Sequence, residues 1–111
     1  MKNTVTRLFT YLFLSLPFLS FAQNGSGNIS GKVQDPDSAP VAFANVVLYR
    51  TADSSMAKVE VTDEEGAFEM IGIPAGQYRL EISFVGLPSY RSERFALAAG
   101  QKMDFQTVQL K

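Results

Sequence analysis

The 111-residue sequence contains no histidine and no cysteine. Zinc centres rely mainly on imidazole and thiolate ligands, and a nucleophilic serine normally needs an imidazole base. Zinc-dependent hydrolysis and Ser–His chemistry are therefore not expected, and no disulfide can staple the fold. The sequence also has no Gly-rich phosphate loop. We expect no catalytic, cofactor-binding or metal-binding residues.

The sequence also lacks a block of charge of one sign. Ten Lys and Arg stand against eleven Asp and Glu. Two of the ten, Lys2 and Arg7, precede the apolar stretch described next, which leaves eight in the remainder. Partners such as nucleic acid or an anionic membrane normally require a basic cluster. The charge pattern argues against both.

The longest apolar stretch, residues 8–21, follows Lys2 and Arg7 and precedes the small residue Ala22. It is shorter than the roughly 20 residues that span a bilayer. A positive start, a short apolar segment and small residues at its end are typical of a secretory signal. We predict a signal peptide over residues 1–22 and no transmembrane span after its removal. A membrane anchor is the alternative.

The remainder of the chain has the size of one domain. Residues 23–28 are rich in Gly, Ser and Asn and are predicted to form a flexible leader. Residues 29–111 contain short apolar segments at the spacing of a β-sandwich and no sustained helical period. The predicted strands are residues 29–33, 41–49, 57–62, 67–71, 77–85, 89–97 and 102–110. Seven strands predict an all-β sandwich.

The best-defined strand is residues 77–85. Its side chains Tyr78, Leu80, Ile82 and Phe84 alternate with polar neighbours, so all four are predicted to lie in the core. Residues 89–97 are more polar and are predicted to form an edge strand.

Residues 57–71 are interpreted as a hairpin. Val59 and Val61 alternate with polar residues before the turn Asp63-Glu64-Glu65-Gly66, and apolar and polar residues alternate again after it. Gly66 is expected to adopt a positive φ in this turn.

Several segments together resemble the carboxypeptidase-regulatory-like domain family. They are residues 29–33 (ISGKV), 40–48 (PVAFANVVL), 62–68 (TDEEGAF), 73–78 (IPAGQY) and 82–86 (ISFVG). The resemblance covers residues 29–111 and implies a transthyretin-like (prealbumin-like), seven-stranded Greek-key β-sandwich. Leu87-Pro88 departs from the family pattern, which usually has an aromatic residue after Gly86.

The resemblance also implies a function. In Bacteroidetes such domains commonly follow the signal peptide of TonB-dependent receptors and related outer-membrane β-barrel proteins, and residues 21–23 and 53–55 resemble that subgroup. It implies a non-catalytic accessory domain in the periplasm, free or associated with the outer membrane. The implied partner is a barrel receptor or an energy-coupling protein. A free-standing secreted domain that binds glycan or a cell-surface protein is the alternative. Transthyretin-like hydroxyisourate hydrolases share the architecture but use histidines that are absent here.

Three weaker signals have simpler explanations. Asp35, Asp37 and the Asp63 turn could bind Ca²⁺, but their spacing favours solvated turns. An isopeptide bond would need a buried Lys, whereas Lys32 is predicted to point away from the core face of its strand. Four aromatic residues could form a platform for sugar, although core packing explains at least one of them. They are Tyr49, Tyr78, Tyr90 and Phe95.

Overall fold

The computed structural model describes residues 25–111. The predicted signal peptide and its cleavage point after Ala22 lie outside the described residues and stay predictions. The strands are β1 (Gly27–Gln34), β2 (Asn45–Arg50), β3 (Met56–Val61), β4 (Ala67–Ile73), β5 (Gly76–Ser83), β6 (Tyr90–Arg91), β7 (Phe95–Leu97) and β8 (Lys102–Gln109). Within residues 25–111 there is no helix, and so none that could cross a bilayer.

The strands form two sheets that pack face to face. One sheet has the order β4-β1-β8, and the other has the order β3-β2-β5-β6, with β7 also paired to β5. All pairs are antiparallel except β1 and β8, which run parallel with Val33 opposite Val108. The predicted all-β sandwich is confirmed.

The core lies between the two sheets and is filled by every second residue of the long strands. Ile29 and Val33 of β1 are buried, and so are Val46 and Leu48 of β2. The predicted core positions Tyr78, Leu80 and Ile82 of β5 are confirmed as buried. Complete burial of one such aliphatic side chain contributes roughly 1.5 to 3 kcal/mol, so these alternating positions hold the sheets together.

The prediction for Phe84 is wrong. β5 ends at Ser83, and the backbone then turns so that the Leu87 amide donates to the Phe84 carbonyl oxygen at 3.1 Å. The Phe84 side chain is 38% exposed. The alternation in the sequence continues to Phe84, but the strand has already ended. The side chain of Phe84 therefore does not lie between the two sheets.

The predicted hairpin over residues 57–71 is also wrong, although both of its strands exist. β3 pairs with β2 in the five-stranded sheet, whereas β4 pairs with β1 in the three-stranded sheet. The Asp63 turn therefore carries the chain from one sheet to the other. The Val33 amide donates to the Gly66 carbonyl at 2.8 Å, which ties the turn to β1 instead of folding it back on β3.

Thr62 anchors the start of this crossover. Its hydroxyl donates to the Val41 carbonyl at 2.7 Å and accepts from the Ala44 amide at 2.8 Å, and the residue is buried. The hydroxyl thus satisfies two backbone groups in the loop before β2. Such groups are costly to bury without a partner.

Replacing Thr62 with Val is expected to lower the free energy of unfolding by about 1 to 3 kcal/mol, because two buried backbone groups lose their partner. Urea denaturation would measure the loss. Thr62→Ser keeps the hydroxyl and removes only a methyl group, which is worth about 0.8 kcal/mol. A Val variant as stable as the Ser variant would contradict the role of the hydroxyl.

Several strand boundaries differ from the prediction. β1 begins at Gly27, inside the predicted leader, because the Asn28 amide donates to the Gln101 carbonyl at 2.9 Å. β2 begins only at Asn45, since the backbone before it bends at Phe43. The predicted edge strand over residues 89–97 is split into β6 and β7, which both pair with β5.

Ser92 causes this split. Its amide donates to the Leu80 carbonyl at 2.8 Å, and its hydroxyl accepts from the Leu80 amide at 2.8 Å. The hydroxyl also donates to the Glu93 carbonyl at 2.9 Å. The Ser92 hydroxyl oxygen thus takes the place of a backbone carbonyl as the acceptor for the Leu80 amide. The ladder of backbone hydrogen bonds is interrupted at Ser92.

Candidate functional site

A groove on the outer surface of the three-stranded sheet has a volume of about 430 Å³. Lys32, Glu69, Asp104 and Thr107 are among the residues that line it. The Thr107 hydroxyl has no imidazole to activate it, because the sequence has none. The groove therefore presents charges but no pair of groups for nucleophilic chemistry.

The acidic residues form turns, as the sequence analysis favoured. One oxygen of Asp35 accepts from the amides of Asp37 and Ala39, both at 2.9 Å. One oxygen of Asp63 accepts in the same way from the amides of Glu65 and Ala67. Within the described part of the chain, no group of three or more Asp, Glu, His or Cys side chains could hold a metal ion. The expectation that the whole chain binds no metal stays a prediction.

Of the four aromatic residues, Tyr78 and Phe95 are neighbours, with ring centroids 6.4 Å apart. Lys32 is exposed, on the side of β1 opposite to Ile29 and Val33, as predicted. Tyr78 is buried, and its hydroxyl donates to the Pro74 carbonyl at 2.6 Å. Phe95 packs edge-on against Phe105, with ring centroids 5.3 Å apart.

Tyr49 lies on the other side of the five-stranded sheet from Tyr78. The Arg79 guanidinium sits 5.1 Å from the centre of its ring, a cation–π distance. Tyr90 packs against the core. The structure therefore does not bring the four aromatic residues into one platform for sugar.

The loop after β2 is held by its own side chains. The Asp53 carboxylate accepts from the Ser55 hydroxyl at 2.7 Å and from the Ser55 amide at 3.0 Å. These hydrogen bonds hold the pKa of Asp53 below its ordinary value. The lowered pKa means that the charged carboxylate of Asp53 stabilises the folded protein slightly. This stabilisation is present near neutral pH and is lost as acid protonates Asp53.

The most exposed apolar residues of the loops lie at one end of the sandwich. Asn45 at the start of β2 pairs with Ser83 at the end of β5, so the segments beyond these two residues leave the sheet at the same end. Phe43 is 64% exposed and Val85 is 93% exposed. Together with Phe84, these residues form what we call the apolar end.

Phe43 is held in an unusual backbone conformation. Its φ is +62°, in the left-handed region that bulky L-residues rarely adopt. The Phe43 amide donates to the Thr62 carbonyl at 3.0 Å, which keeps the backbone in place. A strained residue whose ring lies largely in solvent is typical of a binding surface rather than of a structural position.

Acidic residues also lie in the loops at this end of the sandwich. The loops that connect β1 to β2, β3 to β4 and β5 to β6 all meet at this end. They contain no Lys or Arg. They carry five acidic residues, namely Asp35, Asp37, Asp63, Glu64 and Glu65. Lys111 follows β8 at the same end, where the Leu110 amide donates to the Gln34 carbonyl.

Sequence reasoning missed this surface. Phe43 lies inside an apolar run that predicts a strand, and the alternation in β5 predicts that Phe84 lies in the core. The signal that could have revealed it is Gly86, which has φ of +86° in the turn after β5. A glycine two residues after Phe84 marks a tight turn, and such turns place the residue before the glycine at the tip.

The outer surface of the five-stranded sheet is a second exposed area. Val59 and Val61 of β3 are about half exposed, and they lie beside Val47 and Asn45 of β2. On β5 and β6 the same surface is charged, because Glu81 pairs with Arg79 at 3.3 Å and with Arg91 at 3.4 Å. The alternation of Val59 and Val61 predicted their strand, but their side chains point outwards.

Comparison with known proteins agrees with this architecture. Residues 28–111 match the family described as the carboxypeptidase regulatory-like domain. No curated protein matches the chain. Since the family match covers most of the chain, the chain belongs to the carboxypeptidase regulatory-like domain family.

Solved structures show the same fold. The 5-hydroxyisourate hydrolase of Klebsiella pneumoniae has a TM-score of 0.57 at 15% identity, covering 76% of this chain and 85% of that one. An (S)-allantoin synthase has a TM-score of 0.55 at 15% identity, covering 78% of this chain and 42% of that one. BcpA, the major pilin subunit of Bacillus cereus, has a TM-score of 0.56 at 14% identity.

The match to BcpA covers 78% of this chain and 30% of the pilin subunit. This chain thus spans less than half the length of two of these three structures. At such low identities the likeness establishes the fold and carries no activity with it.

Proposed function

We propose that this member of the carboxypeptidase regulatory-like domain family is a non-catalytic interaction domain of the periplasm. In this proposal it docks to an outer-membrane β-barrel receptor of the TonB-dependent kind or to its energy-coupling protein. The observation that carries the proposal is the apolar end, where Phe43 and Val85 stand in solvent on well-held loops. The absence of His and Cys from the sequence supports a role without catalysis.

The physical basis of the proposal is the free energy that the apolar end costs the isolated domain. Phe43 adopts a left-handed conformation that costs about 1 to 3 kcal/mol, and its exposed ring gains little burial in return. Val85 likewise contributes nothing to the core. Burial of both side chains against a partner would recover apolar contact that the isolated domain lacks.

Charge narrows the choice of partner. Five carboxylates in the loops around the apolar end would repel an anionic lipid surface. The same carboxylates would steer a protein surface that carries apolar residues next to Lys or Arg. This complementarity favours docking to a protein over insertion into a membrane.

Capture experiments with two variants of the apolar end test the proposal. Phe43→Gly removes the ring and relieves the positive φ, so we expect a melting temperature equal to or above that of the native protein. Val85→Asp places a charge at the tip of the turn and should leave the core intact. Both variants are expected to recover much less of a barrel receptor or energy-coupling protein from cell envelopes than the native protein.

Ile71→Thr is the matched control, since Ile71 is another exposed apolar residue and lies on β4 of the other sheet. It should capture the partner as well as the native protein does. Equal recovery by all variants would contradict docking through the apolar end. Saturable binding of glycan without any barrel or energy-coupling partner would favour the alternative of a secreted binding domain. Turnover of peptide or hydroxyisourate would refute the non-catalytic role.

A further inference from the structure

β3 is an open edge of the five-stranded sheet. It pairs with β2 on one side, and no strand of residues 25–111 pairs with its other side. An open edge presents unpaired N–H and C=O groups that can accept another strand. The opposite edge is different, because it consists of two short strands that are interrupted at Ser92.

The two surfaces of β3 differ in character. Val59 lies opposite Val47 on the outer surface of the sheet and is 51% exposed. Glu60 lies opposite Val46, and Lys58 lies opposite Leu48. Since Val46 and Leu48 point into the core, Lys58 and Glu60 point towards the space between the sheets, at its open rim.

Lys58 and Glu60 have no ionic partner in the domain. Both are half-buried, and neither takes part in an ion pair within residues 25–111. Charged residues that point inwards on an edge strand normally prevent indiscriminate pairing, because a foreign strand would have to bury them without compensation. A strand with charges in complementary positions would escape this penalty.

We propose that this complementary strand is β3 of a second copy. Two β3 strands can pair antiparallel about a two-fold axis that passes between their Val59 residues. In this register Lys58 faces Glu60 of the second copy, and Glu60 faces Lys58 of the second copy. Residues that face each other directly across antiparallel strands lie on the same side of the sheet, so both ion pairs would form at the rim of the core.

Other symmetric registers lack this complementarity. A two-fold axis at Lys58 would place the two Lys58 side chains face to face, and an axis at Glu60 would do the same for the two Glu60 side chains. Like charges in direct opposition are destabilising. The register centred on Val59 also places the two Val59 side chains face to face on the outer surface of the sheet.

The contact is small, and the dimer is correspondingly weak. β3 has six residues, so edge pairing buries less than the roughly 1,200 Å² at which stable interfaces begin. Specificity comes from the two reciprocal ion pairs and from the shared sheet. Self-association through β3 is a property of the domain in addition to receptor docking, and it does not require the receptor partner.

Charge exchange tests the register directly. Sedimentation equilibrium of the purified protein, from about 10 µM to about 1 mM, would measure self-association. Lys58→Glu and Glu60→Lys each turn both ion pairs into repulsions and should weaken the dimer by about tenfold or more. The double variant restores opposite charges and should regain native self-association.

A mixture of the two single variants provides a second test. Lys58→Glu carries two acidic residues on β3 and Glu60→Lys carries two basic ones, so the two proteins should pair with each other better than with themselves. Arg94→Glu makes the same change of charge on the loop between β6 and β7 and should leave self-association unchanged. Circular dichroism would confirm that each variant is folded.

Three results would overturn the proposal. A native protein that stays monomeric to about 1 mM would show that the edge does not pair. Single variants that associate as strongly as the native protein would show that Lys58 and Glu60 are not in the contact. A double variant no better than either single variant would show that the register is wrong.

Discussion

Replacing Leu80 with Ala is expected to lower the free energy of unfolding by roughly 2 to 5 kcal/mol. Leu80 is completely buried in β5, the central strand between β2 and the β6–β7 edge. Its removal leaves a cavity between the two sheets and loses the transfer energy of three carbons. Small domains are stable by only about 5 to 15 kcal/mol, so a large part of the stability would be lost.

The matched comparison is Phe84→Ala. The alternation in the sequence gives Leu80 and Phe84 the same predicted role, but the structure places only Leu80 in the core. Since Phe84 lies beyond the end of β5 and is partly exposed, its truncation should cost less than about 1 kcal/mol. Urea denaturation of the two variants would measure both effects. Equal losses of stability would mean that Phe84 is buried after all.

Replacing Gly66 with Val should be about as damaging as the change at Leu80. Gly66 has φ of +79°, which confirms the predicted left-handed conformation. Strain alone would cost about 1 to 3 kcal/mol for a residue with a side chain. A Cβ atom would also lie 2.6 Å from the Val33 carbonyl oxygen and 3.2 Å from the Val41 amide nitrogen. These are backbone atoms, so β1 or the loop before β2 would have to move.

The same close approach applies to Asn at this position. Asn tolerates a positive φ, yet its Cβ would meet the same two backbone atoms, so Gly66→Asn should be nearly as unstable as Gly66→Val. Gly86 is the matched control, with φ of +86° and open space where a Cβ would stand. Thermal melts should show a much smaller loss for Gly86→Ala than for Gly66→Ala. Similar losses would mean that strain, rather than the contact with β1, decides the cost.

The sequence predicted the strands well because their evidence is local. Alternation identified β5 and placed Tyr78, Leu80 and Ile82 correctly in the core. Turn chemistry identified the left-handed Gly66. Both signals depend on a few neighbouring residues, which the sequence shows directly.

Pairing between strands was harder to predict because it depends on distant residues. The hairpin interpretation of residues 57–71 failed since nothing near the Asp63 turn shows that Gly66 bonds to Val33. The sequence near Val59 and Val61 also does not show that their side chains point outwards. That direction depends on the buried residues of β2 that face Lys58 and Glu60.

The candidate docking surface was missed for a related reason. Phe43 looks like a core residue in an apolar run, and only the backbone bend before β2 turns it towards solvent. Val85 follows Phe84 beyond the end of β5, where the alternation stops. An apolar pattern predicts burial only where another element covers it, and the sequence does not show where that cover ends.

The parallel pairing of β1 with β8 has a consequence for the order in which the domain folds. The strands of the five-stranded sheet all lie within residues 45–97, whereas the three-stranded sheet unites the first and last strands of the described chain. Closing so long a loop costs entropy before any contact compensates for it. The three-stranded sheet should therefore be completed last. Until β8 pairs with β1, part of the core is exposed to solvent, and the folding chain is prone to aggregation.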